Sequence, residues 1–211
     1  MNDIKVKFLS YEQIGEIANK VLAKYNYNAI IPVPIEKLID NDLIINVIPI
    51  LDLTRTFDIN AITSSNLKTI IVDEHLFQNL EKQYRFTLAH ELGHIILHRK
   101  IYEEIDIRSL DDWKNFINKV DEREYRYLEI QADNFAGHIL VPQKYLEYYF
   151  KSQLKIWTKS SLAKRFPNLK TEDSIDLTLR IIAAKLSSIF EVSPQVVEIR
   201  IKKSNLVRQI S

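Results

Sequence analysis

The sequence predicts an α+β fold with a helical C-terminal part. Two observations carry that expectation. Apolar residues first recur at helical spacing, then fall into short β-branched runs, then return to helical spacing for the rest of the chain. The longest apolar helix, "FTLAHELGHIILH" from Phe86 to His98, also carries histidines, a glutamate and a glycine that an ordinary core would exclude.

The elements follow in order. In Tyr11–Tyr27, Ile14, Ile17, Ala18, Val21 and Leu22 share one helical face. "VPIEKLIDND" makes a short second helix with Pro34 near its start, where a missing N–H costs nothing. Leu43–Leu51 is short and β-branched and reads as a strand. "INAITSSNLKTIIVD" reads as two more strands, Ile59–Thr63 and Thr69–Val72, joined by a Ser-Ser-Asn turn. The site helix spans about Glu81 to His98. A charged stretch from Arg99 to Glu122 holds a helical turn or two in "DDWKNFINKV". "EREYRYLEIQADNFAGHILVP" is a strong helix stopped by Pro142, and residues 143–175 read as helical pieces with loops around Pro167. Two last helices follow, "SIDLTLRIIAAKLSSIF" and one opened by the cap and first-turn pair Ser193-Pro194. The expected organisation is an α+β domain over residues 1–145 and a helix-turn-helix-like helical subdomain over 146–211, without internal repeats.

Composition narrows the function. Of 211 residues, 46% are hydrophobic and 27% charged, and the net charge is +1, so a core is accessible and no global field attracts nucleic acid or membrane. There are no cysteines, which excludes disulfides, thiolate metal sites and a cysteine nucleophile. With no signal peptide in "MNDIKVKFLS" and no apolar run of membrane-spanning length, a soluble cytoplasmic protein is expected.

His90 and His94 lie four apart, so a helix puts both imidazoles on one face, with Glu91 flanking it. This H-E-x-x-H spacing suits two zinc ligands and a glutamate placed to take a proton from the attacking water. A third protein ligand is needed. Glu129, with Asp133 one turn on, is the best source in "YLEIQADNFAGHIL". For Glu129 to come within about 2 Å of a shared zinc, two helices must cross closely. Small residues at the crossing permit it: Gly93 on one helix, Ala132 and Ala136 on the other. The alternative is a small-residue helix contact with no metal. Asp133 is expected to hold one imidazole by its second nitrogen. His98, near the helix end, reads as a partner for the last carbonyls and His75 as a surface residue. His138 is a weak candidate for oxyanion stabilisation. Tyr84, Tyr125 and Tyr127 are all near enough in sequence to serve there, and nothing in the sequence chooses among them.

At these residues the chain resembles a known family. "RFTLAHELGHIILH", "EIQADNFAGHILVP" and "FEVSPQVVEIRIKK", together with the approach through "TIIVD", are similar to the ImmA/IrrE-type metallopeptidases. The resemblance covers roughly Ala18 to Arg208. It implies a zincin-like, gluzincin core: a small, mainly antiparallel sheet packed on helices, with an active-site helix and a third-ligand helix. It implies zinc held by His90, His94 and Glu129, with Glu91 as the base. Many members have a second glutamate two residues after the ligand glutamate; here Gln131 stands in that place. The resemblance also implies a protein substrate, a helix-turn-helix repressor whose site-specific cleavage induces a mobile element or a stress response.

The resulting expectation is zinc-dependent peptide hydrolysis, with the strand Thr69–Val72 offering an edge to an extended substrate. A rival reading is a DNA- or repressor-binding module built on the last two helices, with Arg200, Lys202, Lys203 and Arg208 as a basic end. The near-neutral charge does not favour direct DNA binding. A purely structural zinc is disfavoured by the lack of cysteine.

Overall fold

A computed structural model of the chain describes residues 4–105, 107–160 and 171–210. The described residues form two compact units. One takes in the residues up to Ile30 together with Pro34–Ile139; the other takes in Ile31–Val33 and the residues from Leu140 onward. The architecture is α+β, mostly helical, with one small sheet. No helix among the described residues is long and apolar enough to cross a membrane.

In the first unit, α1 (Tyr11–Lys24) starts at a reciprocal cap in which the Ser10 hydroxyl accepts from Gln13 N–H and the Gln13 side chain accepts from Ser10 N–H. Its apolar stripe buries Ile14, Ala18 and Leu22. The short α2 (Ile35–Lys37) runs on into a π-helical turn over Leu38–Asp42. Three strands follow: β1 (Asn46–Ile50), β2 (Ala61–Thr63) and β3 (Thr69–Asp73). The one-turn helix α3 (Leu53–Phe57) separates β1 from β2, flanked by Asp52 and Asp58 in the left-handed region that aspartate tolerates.

The sheet order is β1-β3-β2, so the expected mainly antiparallel sheet is mixed: β2 pairs antiparallel with β3, and β1 pairs parallel with it. Two reversals of the chain, one through α3 and one through the turn after Thr63, return β3 to the direction of β1. β3 takes the central position, with Ile70, Val72 and Asp73 buried. That corrects a second expectation. Flanked on both sides, β3 has no free edge to offer a substrate; β1 and β2 are the edge strands, and β2 is the one beside α5. Asn60 O accepts from Asp73 N–H and Ser64 N–H donates to Thr69 O, so in the antiparallel alternation Ala61 and Thr63 turn their main-chain groups away from β3.

Asp73 ends β3 and caps α4 (Glu74–Asn79). Its carboxylate accepts from Leu76 N–H at 3.1 Å and from Thr54 N–H at 2.8 Å, tying α3, β3 and α4 together. The site helix α5 (Glu81–Leu97) follows at once and is buried on several faces. Then come α6 (Arg99–Glu104), α7 (Leu110–Lys119), capped by Ser109, and α8 (Glu122–Leu140). Most of the stretch from Arg99 to Glu122 is therefore helical, and α7 is capped by Ser109 and buries Phe116.

The second unit holds α9 (Gln143–Thr158), α10 (Glu172–Phe190) and α11 (Pro194–Lys203). Ser193 caps α11 and Pro194 sits in its first turn, as expected from the sequence. The expected loop around Pro167 lies outside the described residues. Arg200 is not part of a basic surface. It is 2% exposed and donates to Val141 O at 3.1 Å and to Gln143 Oε1 at 3.2 Å. Lys202 is paired with Glu198 at 2.6 Å.

Candidate active site

The site lies wholly within the first unit, in a cleft of about 270 Å³ between α5, α8 and the edge strand β2. Asp58 to Ile62 form one wall; Tyr102, Trp113, Phe116 and Leu128 give an apolar side.

Helix periodicity puts His90 and His94 on the cleft face of α5, and their Nε2 atoms approach to 3.0 Å. From α8, Glu129 brings one carboxylate oxygen to 3.3 Å from His90 Nε2 and the other to 3.5 Å from His94 Nε2. Donors about 2.0–2.2 Å from a tetrahedral ion are roughly 3.3–3.5 Å from one another. The Glu129 approaches fall in that range, and the two imidazole nitrogens stand slightly closer, at 3.0 Å. His90, Glu91 and His94 also form a cluster able to hold a metal ion.

The crossing that brings Glu129 to the histidines depends on Gly93. A Cβ there would lie 3.0 Å from Ala132 Cα, 3.2 Å from Ala132 O and 3.3 Å from Phe135 Cβ. The expected small-residue contact between Gly93 and Ala132 is thus present, with Ala132 and Ala136 both buried.

Each imidazole is held by its other nitrogen. Asp133 accepts from His90 Nδ1 at 2.8 Å. His94 Nδ1 lies 3.1 Å from His98 Nδ1, and His98 Nε2 lies 3.3 Å from Gln131 Oε1. His98 caps α5 through its main-chain N–H, which donates to His94 O, but its side chain does not turn to the last carbonyls; it is 3% exposed and lies between His94 and Gln131. Burial pushes the His90 imidazole down, but the carboxylates of Asp133, Glu129 and Glu91 outweigh this and lift it to about 10. Burial and the neighbouring His90 and His98 hold His94 well below the ordinary value. Surroundings that favour a positive charge on His90 also favour a cation at its Nε2.

Glu91 is 5% exposed, and its Oε2 accepts from Thr63 Oγ at 2.8 Å. Burial lifts its carboxyl to about 7, against the opposing effects of His90 and the Thr63 hydroxyl. That is the range a general base needs. Thr63 was missed by the sequence reading, since nothing local marks a strand threonine that reaches a helix 28 residues on.

The remaining candidates separate clearly. Tyr125 lines the cleft beside Glu129. Burial and Glu129 raise its phenol above the ordinary value, so it stays protonated as a donor. Tyr84 and Tyr127 do not line the cleft. His138 packs on Tyr11, with ring centroids 4.3 Å apart, and against Gly15, where a Cβ would meet its ring at 2.7 Å. It does not line the cleft either. His75 is exposed, as expected.

None of the curated proteins matches the chain. The family model for the M78 peptidases, described as an IrrE N-terminal-like domain, matches residues 56–202, more than half of the chain and the whole of the donor cluster. The chain belongs to the M78 peptidase family.

Proposed function

We propose that this protein is a zinc-dependent endopeptidase in which His90, His94 and Glu129 hold the metal and Glu91 is the general base. The observation that carries this reading is the convergence, from two helices, of two imidazole Nε2 atoms 3.0 Å apart with the Glu129 carboxylate, one oxygen 3.3 Å from His90 and the other 3.5 Å from His94, beside a buried glutamate. Asp133 holds His90 by its Nδ1, leaving Nε2 for the ion. When bound, Zn²⁺ supplies a Lewis acid that polarises the scissile carbonyl and makes water more acidic. Glu91 takes a proton from the attacking water as its oxygen bonds to the carbonyl carbon. Glu91 then passes that proton to the amide nitrogen as the C–N bond breaks. Thr63 keeps the carboxylate aimed at the cleft. The main-chain groups of Ala61 and Thr63, turned away from β3, are suited to receive an extended substrate as an added strand.

The resemblance to ImmA/IrrE-type enzymes supports a helix-turn-helix repressor as the substrate, cut at one site to induce a mobile element or a stress response. Burial of Arg200 removes one of the cations on which a DNA-binding reading relied. The test is Glu91→Gln in the full chain. The variant is expected to bind Zn²⁺ like the wild type and to lose peptide cleavage by at least about 100-fold, the lower end of what a positioned base contributes. Cleavage at the wild-type rate would remove the general-base assignment.

A further inference from the structure

The hydrogen bonds behind His94 form a chain in which each proton is dictated by the partner before it. It starts at a main-chain carbonyl. Gln131 Nε2 lies 3.0 Å from Lys7 O, and a carbonyl can only accept, so the amide must turn its NH₂ group there. Gln131 Oε1 is then the atom facing His98 Nε2 at 3.3 Å, and His98 must carry its proton on that nitrogen. A neutral His98 is left with a bare Nδ1. That atom, 3.1 Å from His94 Nδ1, can only accept, so His94 must be protonated at Nδ1 and bare at Nε2. Nε2 is the atom that faces His90 and Glu129.

The carbonyl at the start of the chain is itself held. The segment before α1 lies along α8. Val6 N–H donates to Glu124 at 2.8 Å, seven residues before Gln131 on the same helix, and Ile4 and Val6 pack on the cluster that includes Tyr102, Phe116 and Leu128. This segment also lies outside residues 56–202, the part of the chain the family model matches.

We propose that Lys7 O, Gln131 and His98 form a relay that fixes the tautomer of His94, making the N-terminal segment a positioning part of the site. His90 is held by a carboxylate, whereas His94 is held by a neutral chain anchored on the backbone. The role of Nε2 rests on the metal reading above; the placement of the protons does not.

The test uses the full chain labelled with ¹⁵N-histidine, with and without one equivalent of Zn²⁺, and long-range ¹⁵N–¹H correlation spectra. The expected result is His98 protonated at Nε2 and His94 at Nδ1. His98 protonated at Nδ1 would overturn the relay, with no variant needed. Gln131→Leu, which removes both hydrogen bonds at similar volume, should mix the His98 tautomers and weaken Zn²⁺ affinity by about tenfold in chelator competition. Unchanged tautomers with unchanged affinity in that variant would also overturn it. If the wild-type chain takes up no Zn²⁺, the metal reading falls, and the His98 resonances still decide the relay.

Discussion

Replacing Gly93 with alanine sets two effects against each other. Alanine is the better helix former by about 1 kcal/mol in a helix interior, so on propensity alone the variant gains stability. The new methyl, however, would sit 3.0 Å from Ala132 Cα and 3.2 Å from Ala132 O, which are backbone atoms of α8 that cannot rotate aside. Relief requires α5 and α8 to move apart by a few tenths of an ångström. Overpacking of that kind costs about 1–3 kcal/mol, so the net change is expected to be a loss of roughly 0–2 kcal/mol. The larger consequence is at the site. Glu129 rides on α8, one turn before Asp133, and its oxygens stand 3.3 and 3.5 Å from the imidazole nitrogens. Widening the crossing moves donor atoms by an amount comparable to the tolerance of a zinc bond, about 0.2 Å. Zn²⁺ affinity should therefore fall about tenfold or more, in the range seen when support for a metal ligand is lost. Urea denaturation of the metal-free protein and chelator competition separate the two effects. A variant that is more stable by about 1 kcal/mol and binds Zn²⁺ as tightly as the wild type would show that Gly93 provides no clearance.

Other perturbations test the remaining parts. Thr63→Val removes the hydroxyl that donates to Glu91 and should lower kcat about tenfold or more while leaving Zn²⁺ affinity unchanged, read by peptide cleavage and chelator competition. Asp133→Ala frees His90 Nδ1 and should weaken Zn²⁺ binding about 10- to 100-fold with little change in the melting temperature, because Asp133 is exposed. Asp73→Asn keeps an acceptor but loses the charge, and should cost about 1 kcal/mol at neutral pH in urea denaturation. Burial pushes the Asp73 carboxyl up, but the N–H groups of Thr54 and Leu76 outweigh it and hold it below its ordinary value. Its stabilisation is thus complete above an unfolded value of about 4 and is lost as pH falls through the lower folded value. The variant should show a flatter loss of stability below about pH 4 than the wild type.

The sequence by itself determined what depends on spacing along one element. Two histidines four apart on a helix must share a face, and a glycine and an alanine at a crossing must mark a close approach, so the donors His90 and His94 and the contact between Gly93 and Ala132 were all legible. The α+β class was legible for the same reason, since hydrophobic period reports local geometry. Only the tertiary structure decided what depends on which elements meet. It placed β3 between β1 and β2, because pairing is settled by burial across the sheet and not by chain order. It set the His98 side chain against Gln131, brought Thr63 onto Glu91, and took His138 and Arg200 into packing roles. Those contacts join residues that lie on different elements or whose neighbours are set by burial. A side chain's partner at such a distance is chosen by how layers stack, and no local pattern encodes it.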